Sequence, residues 1–356
     1  MASGYPASFK HFRNRQKPLQ FRKDGTFRIL HITDLHQVSP LMDDEADRQI
    51  PVDRDIETMN VIEKCIEQSD PDLVVFGGDN ISGYWEEYTY EFFVETIRKI
   101  VEPVKKRNIP LAIVFGNHDS EGQEIRQFLR RENHINIYAE YENFRSSYND
   151  EDVYGCGNCA LPVLDSKGEK INWNIWLMDS NDYNRDENHN QLEGYASLHS
   201  DQLQWYDKKA NELKASNGGV PVPAVLFQHI CVNELRDIVE ECDENDAGAF
   251  ESGNRFFKAK SGTLSDGVMR EYPCPGSERN QLPLWVKNGD VVAAFFGHDH
   301  VNTFTTEIQG IKLIQTIGSG YQSYGKERGG RIITLHENSR DFDTETIIVD
   351  RITDSF

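Results

Sequence analysis

The sequence predicts an α/β fold with mixed sheets, and three observations carry that prediction. Short apolar runs rich in Val, Ile and Phe recur along the chain, bounded by Gly, Pro, Asp or Asn. Amphipathic stretches with apolar residues at three- and four-residue steps lie between the earlier runs. A closing series of strand-like runs follows with no helical pattern between them, as in folds that combine parallel and antiparallel pairing.

The strand-like runs are FRILHIT (27–33), DLVVFGG (72–78), LAIVFG (111–116), INWNIWLM (171–178), VPAVLFQ (222–228) and VVAAFFG (291–297). IKLIQTIG (311–318), RIITLHE (331–337) and TIIVD (346–350) complete the set. Several are apolar throughout rather than alternating, which is the pattern of strands buried on both faces. Three helices are expected between them. Ile56, Met59, Ile62 and Ile66 mark the first, and Phe93, Ile97, Ile100 and Val104 the second, before Pro110. Leu203, Tyr206, Ala210 and Leu213 mark the third, with Ser200 as its expected N-cap.

No repeat, low-complexity tract or Pro/Ser-rich linker divides the chain. The expected organisation is an N-terminal extension over 1–25 and a single domain over 26–356. Within that domain, residues 241–282 are polar and rich in Gly, acid and Pro. They read as one long excursion, either disordered or a lid beside a site.

Bulk composition limits the function classes. With 38 Lys and Arg against 59 Asp and Glu, the formal net charge is -21. Such a surface repels nucleic acid and anionic membrane at long range, so neither is an expected partner. It also repels phosphate esters, so phosphate chemistry here needs a strong local positive field, which bound metal ions would supply. The N-terminal stretch lacks an apolar signal core, and no run approaches the roughly 20 apolar residues that span a bilayer. The six cysteines are sparse for 356 residues, as in reduced cytosolic proteins, and a cytoplasmic location is expected. Cys156 and Cys159 form a lone C-x-x-C pair. With no second pair for zinc and no βα context for redox chemistry, a packing or turn role is expected.

The informative residues sit just past the ends of the apolar runs. Asp34 and His36 follow the first, Asp79 the second, and Asn117, His118 and Asp119 the third. His229 follows VPAVLFQ, and His298, Asp299 and His300 follow VVAAFFG. Each fragment alone has an ordinary reading as a turn, a loop cap or a core histidine, which is how His31 reads. Together they place five of the eleven histidines at one kind of position. Ligand sites of open α/β sheets lie at the carboxyl ends of strands, where residues remote in sequence converge. Imidazole, carboxylate and amide oxygen without thiolate suit Mn, Fe, Zn or Co. Two cations roughly 3.5–4 Å apart clamp a phosphoryl group, and a carboxylate such as Asp79 can bridge them. His118 then has a natural task as general acid toward the leaving alkoxide.

At these residues the sequence resembles the calcineurin-like metallophosphoesterases. That family's order of motifs is D-x-H, G-D, G-N-H-D/E, H and G-H-x-H. This chain has Asp34–Leu35–His36, Gly78–Asp79, Gly116–Asn117–His118–Asp119, His229 and Gly297–His298–Asp299–His300. The resemblance implies a four-layer α/β/β/α sandwich of two mixed sheets flanked by helices. It implies one metal held by Asp34, His36, Asp79 and His300, and another by Asp79, Asn117, His229 and His298. It further implies direct attack by a metal-bound hydroxide, with His118 assisting at the substrate oxygens or the leaving group. FGGDNISG, FGNHDSEG, Gln204–Trp205, FFGHDHVN and GSGYQSYG resemble the branch grouped with purple acid phosphatases. True purple enzymes carry an iron-binding Tyr three residues after the G-D aspartate and lack the histidine of D-x-H. Here position 82 is Ser and His36 is present, so a colourless site of Mn, Zn or mixed-iron type is expected. The extra Asp and Arg of protein Ser/Thr phosphatases have no match at Asn80–Gly83.

The expected function is hydrolysis of phosphomonoesters at a dinuclear metal site. Phosphodiester or nuclease activity at the same site is one alternative, and a non-catalytic metal-binding scaffold is another. Asp119 is expected either to orient His118 or to start the next turn. The loop 318–330, with Tyr321, Tyr324 and Arg328, is a candidate wall of the phosphate pocket.

Overall fold

The computed structural model describes residues 17–38, 52–83, 89–186 and 190–351. Two sheets face each other, with helices on both outer sides. The first has five strands in the order β18-β17-β2-β3-β4: β2 (Thr26–Ile32), β3 (Leu73–Gly77), β4 (Leu111–Val114), β17 (Gly329–His336) and β18 (Phe342–Ile348). β2, β3 and β4 run parallel, and the β17–β18 hairpin adds antiparallel to β2.

The second sheet has eight strands in the order β1-β5-β6-β9-β14-β16-β15-β13. These are β1 (Leu19–Gln20), β5 (Cys159–Leu164), β6 (Ile171–Leu177), β9 (Ala224–Phe227), β13 (Leu264–Asp266), β14 (Val291–Phe296), β15 (Thr305–Ile308) and β16 (Ile311–Gln315). β6, β9, β14 and β16 are mutually parallel.

Apolar burial explains the layering. The inner faces meet through Phe27, Ile29, Val75 and Val114 of the five-stranded sheet and Trp173, Ile175, Phe227 and Phe295 of the eight-stranded one. The outer face of the five-stranded sheet is covered by α1 (Val52–Ser69), α2 (Tyr90–Lys105) and α3 (Arg131–Tyr138). The outer face of the eight-stranded sheet is covered by α4 (Ser200–Ser216) and α5 (Leu282–Asn288). This is the four-layer α/β/β/α sandwich. Strands buried on both faces read as unbroken apolar runs because neither side meets water.

The helices follow the expected stripes, with two corrections. Phe93, Ile97, Ile100 and Val104 of α2 are all buried, but Ile56 of α1 is 47% exposed and lies off the packed stripe. Ser200 is the first residue of α4 rather than its cap. The cap position belongs to His199, whose backbone N–H donates to Gln202 Oε1 at 2.9 Å, the reciprocal contact of a capping box.

The excursion is ordered. Its first part forms a small sheet of β10 (Val239–Cys242), β11 (Phe250–Ser252) and β12 (Arg255–Ala259), and β13 then joins the eight-stranded sheet beside β15. Phe250 of β11 and Phe257 of β12, paired across the ladder, point inward, which the polar composition of the segment concealed. β1, inside the segment read as an extension, pairs with β5. Cys156 and Cys159 are buried free thiols, Cys159 within β5. Among the described residues, no helix is long and apolar enough to cross a membrane.

Candidate metal centre

The parallel strands of both sheets end on one edge, and every residue singled out in the sequence follows such an end. Thr33 after β2 and Gly318 after β16 form a backbone bridge that ties the two sheets together there. The backbone is bent hard at this edge. Asp34, His36, Asp79 and His298 all have positive φ, from 47° to 71°. Non-glycine residues rarely take that conformation, and it costs on the order of 1–3 kcal/mol where they do. A glycine precedes the bend where neighbours crowd it. A Cβ on Gly78 would approach the His229 ring to 2.6 Å, and one on Gly116 would overlap the Asp79 carboxylate.

The bends bring side-chain atoms together in two groups that share Asp79. Asp34, His36, Asp79 and His300 each offer an atom within 4.8 Å of the others, and so do Asp79, His229 and His298. His300 Nε2 lies 3.3 Å from both His36 Nε2 and Asp34 Oδ1. His229 Nε2 lies 3.1 Å from Asp79 Oδ2, while its Nδ1 is 2.9 Å from the Gly77 carbonyl, which accepts the ring proton. The lone pair of His229 therefore faces the centre, the arrangement a metal-binding imidazole needs. His36 is held likewise by Ser82 Oγ, 3.1 Å from its Nδ1. Position 82, where the resemblance removes a metal-binding tyrosine, thus supports a different candidate ligand.

Asn117, in the loop after β4, has its amide nitrogen engaged. Its Nδ2 donates to Tyr183 Oη at 3.0 Å, which turns Oδ1 inward. Asn117 Oδ1, Asp79 Oδ2 and His229 Nε2 are all buried with no hydrogen-bond partner. Buried polar atoms are rarely orphaned, and a converging set of lone pairs from three elements fits a cation. Burial leaves His36 and His298 neutral, each with a pKa pushed down to about 3. Burial opposes the charge on Asp34, but His300 and His229 outweigh it and hold the carboxyl below its ordinary range.

Asp119 neither orients His118 nor simply opens a turn. Its carboxylate accepts from the backbone N–H groups of Asp79 and Gly116 through Oδ2, and of Asn80 and Ile81 through Oδ1, at 2.8–3.2 Å. It clamps the loops after β3 and β4 to each other. Behind it, Arg131 pairs with Asp179 at 2.5 Å and donates to the Gly116 carbonyl at 2.9 Å.

His118 is part-buried beside His36, with ring centroids 5.2 Å apart, and its backbone N–H donates to Asp79 Oδ1 at 2.7 Å. Burial disfavours its charge, but Asp79 and Glu121 outweigh that and raise its pKa to about 9.

The loop 318–330 meets the site edge through one of its three candidate residues. Arg328 is 1% exposed, and its guanidinium donates to the carbonyls of Gly320, Glu327, Ser323 and Tyr324. It staples its own loop rather than facing a phosphate pocket. Tyr321 is buried beneath it. Tyr324 alone reaches the site edge, its ring stacked 4.5 Å from His300.

Two neighbours escaped the sequence reading. Tyr183 and Tyr195 lie on a hairpin of β7 (Tyr183–Arg185) and β8 (Gln191–Tyr195), with Tyr195 edge-on to His298 at 4.3 Å. A signal for them existed. β6 runs parallel to β9 and β14, so the residues after INWNIWLM lie at the same strand-end edge. A cavity of about 710 Å³ opens beside Asn117, lined by Glu121, Glu124, Arg126, Asp182, Tyr183 and Arg185 among others.

The fold and this edge define a phosphoesterase class. Residues 27–302 match the calcineurin-like phosphoesterase family, and the chain belongs to it. It is 27% identical over 348 residues to probable inactive purple acid phosphatase 29 of Arabidopsis thaliana, covering 92% of this chain and 81% of that one. It is 29% identical to the phosphatase DCR2 of Saccharomyces cerevisiae over 170 residues, 46% of this chain and 28% of the relative. The crystal structure of a dimetal phosphatase from Danio rerio has the same fold, with a TM-score of 0.53 at 13% identity, covering 90% and 98% of the two chains.

Proposed function

We propose that this protein is a dinuclear-metal phosphomonoesterase. Asp34, His36, Asp79 and His300 would hold one ion, and Asp79, Asn117, His229 and His298 the other. The observation that carries this reading is the pair of side-chain groups that share Asp79, together with buried polar atoms on Asp79, Asn117 and His229 that have no hydrogen-bond partner. Two cations there would neutralise the phosphoryl oxygens and lower the pKa of an attacking water. Mn, Zn or Fe suits the donor set of imidazole, carboxylate and amide oxygen.

The chain's own groups do the rest. The Asp119 clamp and the Gly77 carbonyl keep Asp79 and His229 aimed while charge develops, so little reorganisation accompanies reaction. His118, outside the two ligand sets but beside His36, would protonate the leaving oxygen. The formal net charge of -21 disfavours a polyanionic chain at long range, which supports small esters over nucleic acids.

The test is hydrolysis of p-nitrophenyl phosphate by metal-stripped protein titrated with Mn, Zn and Fe, with bis-p-nitrophenyl phosphate in parallel. Metal-dependent monoester turnover that collapses in His118→Ala is expected. Preferential diester turnover would replace the monoester reading. Inactivity on both esters with every metal would leave a metal-binding scaffold.

A further inference from the structure

Resting on that reading, we infer that Glu121, braced by Tyr183, is the positioning residue that holds His118 for proton delivery. Three hydrogen bonds carry this. His118 Nδ1 lies 2.5 Å from Glu121 Oε2. Glu121 Oε1 accepts from Tyr183 Oη at 2.6 Å. Tyr183 Oη in turn accepts from Asn117 Nδ2 at 3.0 Å.

The chain of donors fixes two orientations at once. A tyrosine hydroxyl has one proton, and here it goes to Glu121, so Tyr183 meets Asn117 as an acceptor. That assigns the amide of Asn117, with nitrogen outward and oxygen toward the metal centre. A carboxylate accepts only, so His118 must carry a proton on Nδ1, and Nε2 becomes the nitrogen for the substrate. Rotation of the ring is further limited because its backbone N–H is tied to Asp79. Asn117, Glu121 and Tyr183 also line the cavity beside the centre, so the far side of this hydrogen-bonded chain is open to it.

The chemical consequence concerns the leaving group. As water attacks phosphorus, the bond from phosphorus to the alcohol oxygen breaks and its electron pair stays on that oxygen. The Nε2 proton joins it to give neutral alcohol, and the proton released from the attacking water passes to solvent, which reprotonates the imidazole. An acidic phenol departs without that proton, whereas an aliphatic alcohol does not. A residue whose sole task is to aim the acid therefore matters in proportion to how basic the leaving oxygen is.

The experiment compares intact protein, Glu121→Gln and Tyr183→Phe, all zinc-loaded, on phosphate esters of 2,4-dinitrophenol, p-nitrophenol, phenol and glycerol. For Glu121→Gln, kcat/KM should fall about 100-fold on the glycerol ester and no more than about threefold on the dinitrophenyl ester. Tyr183→Phe, which deletes one oxygen and preserves the ring, should show the same trend at about tenfold. An equal loss across all four esters would overturn the inference. A readout independent of turnover is the Nδ1-bound proton of His118 in NMR spectra of the zinc-loaded protein. It should be present in the intact chain and absent in Glu121→Ala, which leaves Nδ1 without its acceptor, and its persistence in that variant would also overturn the relay. If the intact protein cleaves none of the esters, the phosphomonoesterase reading fails, and the NMR signal alone decides whether Glu121 positions His118.

Discussion

The strand-end loops of the metal centre and the β10–β12 sheet are both polar, yet they are built on opposite terms. In the loops, polar groups are buried, bonded to backbone and held in costly conformations. Asp34, Asp79, Asp119, His229 and His298 are buried, and four residues of this edge sit at positive φ. In β10–β12, charged side chains lie in water and pair loosely, as Arg255 does with Glu241 at 3.4 Å. Polar residues at the centre are held by several buried neighbours each, whereas Arg255 and Lys258 of the small sheet have one or two solvent-exposed carboxylate partners. The first design fixes geometry at a cost in stability, and the second mainly keeps an edge soluble.

Asp79→Asn should break the contrast most severely. It keeps the volume but removes the charge shared by both candidate sites, so metal content should fall and activity should drop on the order of 10³-fold. Elemental analysis after gel filtration, with turnover of p-nitrophenyl phosphate, checks it. Chelation of the intact protein should destabilise it, by about 2.7 kcal/mol if the metal had been present at a hundred times its dissociation constant. Unchanged denaturant midpoints with and without chelator would show that the centre binds no metal tightly.

Asp119→Ala comes next. It strips the acceptor from four buried amides at once, so a loss of about 3 kcal/mol is expected in denaturant unfolding, with weaker metal retention. Loss of metal affinity without loss of stability would mean that Asp119 acts on the centre and not as a clamp.

This contrast also explains what was legible in the sequence. Long-range convergence was readable because each candidate ligand follows a buried strand, and buried parallel strands announce themselves as unbroken apolar runs. The small sheet was not readable, since β11 is three residues long and its inward residue, Phe250, stands alone between Ala249 and Glu251. β5 was missed for a related reason: Pro162 interrupts CALPVL, and a proline argues against a central strand. It is tolerated here with an exposed side chain, in a strand paired by the short β1 over only two residues. Asp119 and Arg328 were misread because sequence shows charge and not what the charge faces. Both turn inward to backbone groups, Arg328 to its own loop and Asp119 mainly to the loop after β3.

Arg328→Ala sharpens the comparison from the side of the loop 318–330. Four backbone carbonyls lose their donor, so a destabilisation of about 2 kcal/mol is expected, measured by chemical denaturation. The KM for p-nitrophenyl phosphate should stay within about twofold, because the guanidinium does not face the centre. A large rise in KM with stability intact would return Arg328 to the phosphate pocket.

The smallest effect should come from the small sheet itself. Arg255 is 64% exposed and Glu241 59%, and exposed pairs of this kind are screened by water and salt while their long side chains lose freedom on pairing. Arg255→Ala should therefore change unfolding free energy by less than about 0.5 kcal/mol, with metal content and turnover unchanged. The prediction has content because β12 lies in the excursion whose continuation braces the metal centre. Val301 N–H donates to Glu271 Oε1 at 2.8 Å, and Cys274 N–H donates to Asp299 Oδ1 at 3.2 Å, behind the loop that carries His298 and His300. If Arg255→Ala altered metal retention, the small sheet would be coupled to that brace. The divide between over-determined and loosely held polar groups would then fall inside the excursion rather than at its border.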